Sequence, residues 1–151
     1  MTTTVRIVGT GLIGTSLGIA LTRAGYAVVL ADPSPTAVAL ARDLGAGFVA
    51  AKDDPAPEVV VVAAPPDVAG AVVADELATW PDTVVTDVSS VKVAVLEEVR
   101  RRGGDLTRYA GSHPMAGRER SGAVALGDQR PGTLRVLGRK EVGGLYEAVG
   151  L

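Results

Sequence analysis

Cysteine is absent and histidine occurs once in the 151 residues, so the chain has no disulfide framework, no thiolate nucleophile and no His-rich metal site. No metal is expected. Aromatic residues make up only 3% of the chain, which leaves few platforms on which bases could stack. A basic excess is missing too: 15 Lys plus Arg stand against 17 Asp plus Glu. A nucleic-acid partner is therefore not expected. Long apolar runs are also lacking. The stretch from Ile7 to Thr22 is uncharged and follows Arg6, a pattern superficially like a secretory signal. Its Gly9, Gly11, Gly14 and Gly18 do not suit an apolar signal core, and it is too short and too rich in glycine to supply the about 20 apolar residues that span a bilayer. A cytoplasmic protein with no membrane partner is the expectation.

Hydrophobic residues make up 47% of the chain and charged residues 21%, and a domain of this length buries roughly 68–70% of its unfolded surface. One domain over residues 1–151 is expected. Thr4 to Val8 is a β-branched run that stops at Gly9, and Leu12, Ile13, Leu17, Ala20 and Leu21 then recur at helical spacing up to Gly25. The apolar run Tyr26 to Ala31 ends in Asp32, and Ser34-Pro35 supplies a cap and a first helical proline for a helix to about Leu44. Gly47 to Ala50 reads as a short third strand. Val59 to Ala64 is apolar throughout, as a central parallel strand is.

Beyond Pro65-Pro66, Asp67 is the expected cap of a helix through about Ala78, and Trp80-Pro81-Asp82 forms a turn before a strand from Thr83 to Thr86. Ser89 or Ser90 is the expected cap of a helix from Val91 to Arg102. Tyr109 to Ser112 and Leu134 to Leu137 read as further strands, and Glu141 to Val149 as a weak helix. Strands alternating with helices through short loops imply βαβ units. The fold class is α/β, a Rossmann-type doubly wound, mostly parallel sheet with helices on both faces. Such sheets bind ligands at the carboxyl ends of their strands.

Gly9-Thr10-Gly11-Leu12-Ile13-Gly14 follows the first strand. In this G-x-G-x-x-G pattern Gly9 permits the tight turn, Gly11 lets the backbone approach a pyrophosphate, and Gly14 lets helix and strand pack closely, with phosphate on the helix N-terminus. The same residues also fit a plain Gly-rich turn. Asp32 stands at the end of the second strand, where an acid bonds the ribose 2′-hydroxyl; it also fits a helix cap. A carboxylate there repels the 2′-phosphate of NADP, and no Arg or Lys lies between Pro33 and Ala41, so NAD is the expected cofactor. Pro65-Pro66 reads either as a rigid turn beside the nicotinamide half or as simple strand termination.

Asp87-Val88-Ser89-Ser90-Val91-Lys92 and Gly111 to Gly122 follow the fifth and sixth strands. His113 is expected at the ligand edge, and histidine as a residue type, with an unperturbed pKa near 6.5, suits a base or hydrogen-bond acceptor at neutral pH. It also fits a structural histidine. Ser90 reads as a cap or as a functional hydroxyl, and Lys92, Arg118 and Arg120 as attractors of an anionic substrate or as solvated surface charge.

These residues resemble the prephenate dehydrogenase family, including its arogenate-using members. The matching pieces are GTGLIGTS from Gly9 to Ser16, Asp32, AAPP from Ala63 to Pro66, TDVSSVK from Thr86 to Lys92, and SHPMAGRERSG from Ser112 to Gly122. The last is the most specific. The resemblance implies NAD-dependent oxidative decarboxylation of prephenate to 4-hydroxyphenylpyruvate in tyrosine biosynthesis. It makes Gly9, Gly11, Leu12, Ile13, Gly14, Asp32, Ala64, Pro65 and Pro66 the cofactor side. His113 is similar to the family histidine that engages the ring hydroxyl, and Ser90 to its hydroxyl-bearing neighbour. Ser112, Glu119 and Ser121 fall on the substrate side. Family members continue into an all-helical domain that forms a homodimer and adds basic residues for the substrate carboxylates. That domain is expected to be absent here, and the likeness thins from about Leu126. An NAD-binding module without turnover is the alternative expectation.

Overall fold

In the computed structural model, which describes residues 2–113 and the backbone of 135–136, strands and helices alternate from the start. The order is β1 (Thr4–Val8), α1 (Leu12–Arg23), β2 (Ala27–Ala31), α2 (Pro35–Asp43), β3 (Phe48–Val49) and β4 (Val59–Val62). There follow α3 (Pro66–Thr79), β5 (Val84–Asp87), α4 (Lys92–Arg101), a 3-10 turn at Leu106–Arg108, β6 (Tyr109–His113) and β7 (Arg135–Val136). The sheet runs β3-β2-β1-β4-β5-β6-β7. Strands β1 to β6 are parallel and β7 is antiparallel to β6. This is the Rossmann-type, mostly parallel sheet that the alternation of elements implies.

Both faces are covered. Leu17 and Leu21 of α1 and Val38 and Ala41 of α2 pack on Val5, Ile7, Val28 and Leu30, while Ala69, Val73 and Leu77 of α3 and Val95 and Val99 of α4 pack on Val60, Val62 and Val85. Each fully buried Val, Leu or Ile contributes about 1.5–3 kcal/mol by leaving water. All four residues of β4 are buried, which is why that strand reads as an unbroken apolar run rather than an alternating one. Among the described residues no helix is long and apolar enough to cross a membrane.

Several boundaries differ from the sequence reading, each for a local reason. β4 stops at Val62 rather than Ala64 because the chain turns at Ala63-Ala64 toward Pro65. Helix α3 begins at Pro66 with Pro65 in the cap position, so Asp67 is not the cap but lies in the first turn. A first-turn proline has its φ already set and no N–H to satisfy, and Asp67 there faces the positive end of the helix dipole. Neither Ser89 nor Ser90 caps α4, whose N-cap is Val91 without a side-chain bond. The Ser89 amide is drawn instead to Asp87 Oδ2 at 3.0 Å, and the Ser89 hydroxyl accepts from the Val91 amide at 3.3 Å. Ser34 does cap α2, accepting from Ala37 N at 3.2 Å. The helix expected over Glu141 to Val149 lies outside the described residues.

Candidate functional site

The chain winds from β1 outward to β2 and β3, then returns to β4 and continues the other way through β5 and β6. The reversal falls between β1 and β4, and a crevice opens there at the carboxyl edge. Across the sheet Ala31, Val8, Val62, Asp87 and Gly111 form one register row. Asp32, Gly9 and Ala63 stand one residue beyond it, and His113 two residues beyond Gly111. The expected cofactor residues therefore share one edge with Ser90 and the His113 backbone, spread over about 19 Å at the usual strand spacing.

The three loop glycines are there for different reasons. Gly9 has φ +101°, and a Cβ on it would stand 2.6 Å from the Ala63 carbonyl oxygen. A Cβ on Gly14 would stand 1.9 Å from the Gly9 carbonyl oxygen. Both are demanded by the chain's own close packing. Gly11 is not: its φ is −74° and a Cβ there would meet nothing within 4 Å among the described residues. The space above Gly11 is a cradle that a side chain would fill. It opens over the N-terminus of α1, which has no side-chain cap bond and no acid in its first turn, so its first N–H groups and positive dipole end suit an anion. Leu12 and Ile13, 85% and 52% exposed, flank the cradle with apolar surface.

Asp32 closes one end of the cradle. Its Oδ2 accepts from the Thr10 amide at 2.7 Å and the Thr10 hydroxyl at 2.9 Å, and its Oδ1 from the Ser34 amide at 2.8 Å. Burial opposes ionisation of Asp32, but the Thr10 and Ser34 amides and the Thr10 hydroxyl outweigh it and hold the carboxyl below its ordinary pKa. A phosphate-binding turn, an uncapped helix end and an ionised acceptor at the β2 end together fit a dinucleotide. Toward β4, Ala64 is half-buried, and Pro65 and Pro66 are exposed where α3 begins.

At the other end the structure brings together a cluster that the sequence reading did not assemble. Asp87 is fully buried. Its Oδ2 accepts from Lys92 Nζ at 2.5 Å and from the Ser89 amide, and its Oδ1 from the Tyr109 hydroxyl at 2.5 Å. Burial pushes the Lys92 ammonium below its ordinary pKa despite the opposing pull of Asp87. Burial, reinforced by the Asp87 carboxylate, pushes the Tyr109 phenol up, which keeps it a donor. A Cβ on Gly111 would come within 3.2 Å of Lys92 Cδ and 3.3 Å of the Tyr109 oxygen, so Gly111 opens the lane by which both reach Asp87. Lys92 is therefore neither solvated surface charge nor a free cation for substrate. The signal for this pair was Asp87 ending an apolar strand five residues before a lysine; Tyr109 gave none.

Ser112 is buried, its hydroxyl donating to the Asp87 carbonyl at 2.6 Å and accepting from the Thr86 hydroxyl at 2.9 Å. That engages it inside the sheet rather than at the edge. Ser90 is exposed and makes no side-chain hydrogen bond among the described residues. His113 is placed by its backbone as the last residue of β6. Arg118, Glu119, Arg120 and Ser121 lie outside the described residues.

Residues 17–129 match the family model for the nucleotide-binding domain of prephenate dehydrogenase, a span that starts just after the Gly-rich loop. The chain is 39% identical over 132 residues to a probable prephenate dehydrogenase, NovF, of Streptomyces niveus, covering 85% of this chain and 36% of that protein. Among solved structures it is similar to the arogenate dehydrogenase of Synechocystis, with 25% identity, TM-score 0.65, 76% of this chain and 42% of that one. It is also similar to a putative prephenate dehydrogenase of Corynebacterium glutamicum, with 35% identity, TM-score 0.64, 78% of this chain and 38% of that one. The chain thus spans 36–42% of the length of these three proteins. With a family model matched over most of its residues and a relative at this identity, the chain belongs to the prephenate dehydrogenase family, of which it carries the nucleotide-binding domain.

Proposed function

We propose that this chain binds NAD and serves the oxidative decarboxylation of prephenate to 4-hydroxyphenylpyruvate. The observation that carries the reading is the cradle over Gly11, between the uncapped N-terminus of α1 and the ionised Asp32 carboxylate. The α1 amides beside Gly11 would hold the pyrophosphate, Asp32 would accept from the adenosine ribose, and Leu12 and Ile13 would supply apolar contact. Ala64, Pro65 and Pro66 would border the nicotinamide half. Asp32 selects NAD, because its partners among the described residues are all uncharged donors and its negative charge would meet the 2′-phosphate of NADP.

Bound NAD supplies the acceptor for a hydride from the ring carbon that bears the hydroxyl. His113 takes the hydroxyl proton as that carbon becomes a carbonyl, and Ser90, exposed on the neighbouring loop, hydrogen-bonds the same oxygen. The bond to the ring carboxylate then breaks, carbon dioxide leaves, and its electron pair makes the ring aromatic. His113 returns its proton to the phenolate. Glu119 and Ser121 border the substrate, whereas Ser112 supports β5 and β6 from within. Arogenate presents the same ring and differs only in its side-chain amino group.

A second reading, NAD binding without turnover by this chain alone, is favoured by one observation. Lys92 is already paired with Asp87 rather than available for the two substrate carboxylates. One experiment addresses both readings. The purified chain is titrated with NAD and NADP, then mixed with NAD and prephenate or arogenate while NADH absorbance is followed. NAD binding with NADH formation that His113→Asn abolishes supports the first reading. NAD binding without NADH supports the second, and failure to bind NAD removes both.

A further inference from the structure

We infer that Thr10, an unspecified position of the G-x-G-x-x-G pattern, is the residue that positions Asp32 and so sets the preference for NAD over NADP. The inference rests on the dinucleotide reading above and adds a residue that the motif itself does not assign.

The geometry is unusual in its economy of donors. One residue gives Asp32 Oδ2 both a backbone amide, at 2.7 Å, and a hydroxyl, at 2.9 Å. The amide of Ser34 occupies Oδ1 at 2.8 Å. A carboxylate offers about four acceptor positions, so three are filled and a single one, on Oδ1, remains for a ribose hydroxyl. Thr10 is 6% exposed, and water has little access to replace its hydroxyl. Its side chain is thus a fixed strut between the phosphate-binding turn and the β2 end, which also ties the pyrophosphate and ribose subsites together.

A dinucleotide carrying a 2′-phosphate brings a second anion up to this carboxylate. The carboxylate can yield by swinging aside or by taking up a proton. Swinging breaks two charge-assisted hydrogen bonds to Thr10 at once, and the same donors favour the ionised form. Thr10 therefore closes both escapes, and its hydroxyl does so through Asp32 alone.

The test uses the full chain with NAD and NADP as titrants, read by calorimetry, and urea unfolding as a check that each variant is folded. Thr10→Val keeps the β-branched shape and deletes only the hydroxyl; Thr10→Ser keeps the hydroxyl. Thr10→Val is expected to weaken NAD by about three- to tenfold, less than the loss of a whole charged hydrogen bond because the amide remains. NADP binding is expected to hold or improve, so the ratio of the two affinities falls. Thr10→Ser is expected to retain the wild-type ratio. In an Asp32→Ala background Thr10→Val is expected to change neither affinity further. An unchanged or raised ratio in Thr10→Val overturns the inference. So does Thr10→Ser behaving like Thr10→Val, or a further loss in the Asp32→Ala background. If the unaltered chain binds neither dinucleotide, the underlying reading fails first and takes this inference with it; if it binds NAD preferentially and Thr10→Val keeps the same ratio of affinities, only the inference fails.

Discussion

Two aspartates stand at strand ends on the same sheet edge, and the difference between them lies in their partners rather than in their position. Asp32 follows β2 and Asp87 ends β5. Each carboxylate accepts three hydrogen bonds, and each bonds the amide two residues further on, Ser34 for one and Ser89 for the other. The donors to Asp32 are all neutral and it is only half-buried. Asp87 is fully buried and paired with the Lys92 ammonium. The first carboxylate carries a charge that no cation among the described residues offsets, while the second uses its charge to join β5, α4 and β6. A strand-end acid in such a sheet is thus a ligand group or a structural one according to whether a cation reaches it from the next helix.

The comparison is tested most sharply by removing each carboxylate. Asp87→Ala leaves a partly buried ammonium without its partner and is expected to lower stability by about 3 kcal/mol, the low end of the range for breaking a buried pair, in urea unfolding. Asp32→Ala leaves only neutral donors without their acceptor, the buried Thr10 among them, and is expected to cost about 1–2 kcal/mol in the same assay. Equal costs would break the distinction. The loop glycines sharpen it next. Gly14→Ala forces a methyl against the Gly9 carbonyl and is expected to cost about 1–3 kcal/mol. Gly11→Ala is expected to change stability by less than about 0.5 kcal/mol but to weaken NAD roughly tenfold or more by filling the pyrophosphate's space. Stability loss in both, or in neither, would undo the division of roles.

A smaller effect concerns affinity alone. Asp32→Ala is expected to weaken NAD by about tenfold and to narrow the gap to NADP, the size of one hydrogen bond to a charged group. Titration with both dinucleotides checks it, and unchanged affinities would take Asp32 out of the site. The smallest effect is with pH. Because the folded-state pKa of Asp32 is lowered, its contribution to stability is complete above about pH 4 and is lost only as the pH falls through that lower value. NAD affinity is accordingly expected to stay flat from about pH 8 down to about pH 5. A carboxylate titrating in that interval would show as a slope.

Local chemistry made much of the framework legible. β1 runs over Thr4–Val8 as its β-branched residues and Gly9 imply, and the Ser34 cap follows from a serine placed before a proline. The ends of β4, α3 and α4 were misread because each depends on a turn whose bonds are not local in type: prolines shift α3, and Asp87 takes the Ser89 amide. The candidate site was legible where a pattern carries its own geometry, as in Gly9 to Gly14. It was not legible where partners are far apart in the chain. Tyr109 reaches Asp87 across 22 positions, and Thr10 reaches Asp32 across another 22. Arg6 and Glu76, 70 positions apart, form a pair that Trp80 joins by donating its indole N–H to Glu76.

The sequence by itself determined the alternation of strands and helices, the Gly-rich turn from Gly9 to Gly14 and the family to which the chain belongs, since these rest on spacing, backbone preference and short motifs. Only the tertiary structure decided which acid is paired with a cation, that Lys92 is committed to Asp87, and that Thr10 holds Asp32. Those outcomes depend on side chains from different strands meeting at distances near 2.5–3.0 Å, and a linear order of residues carries no such distances.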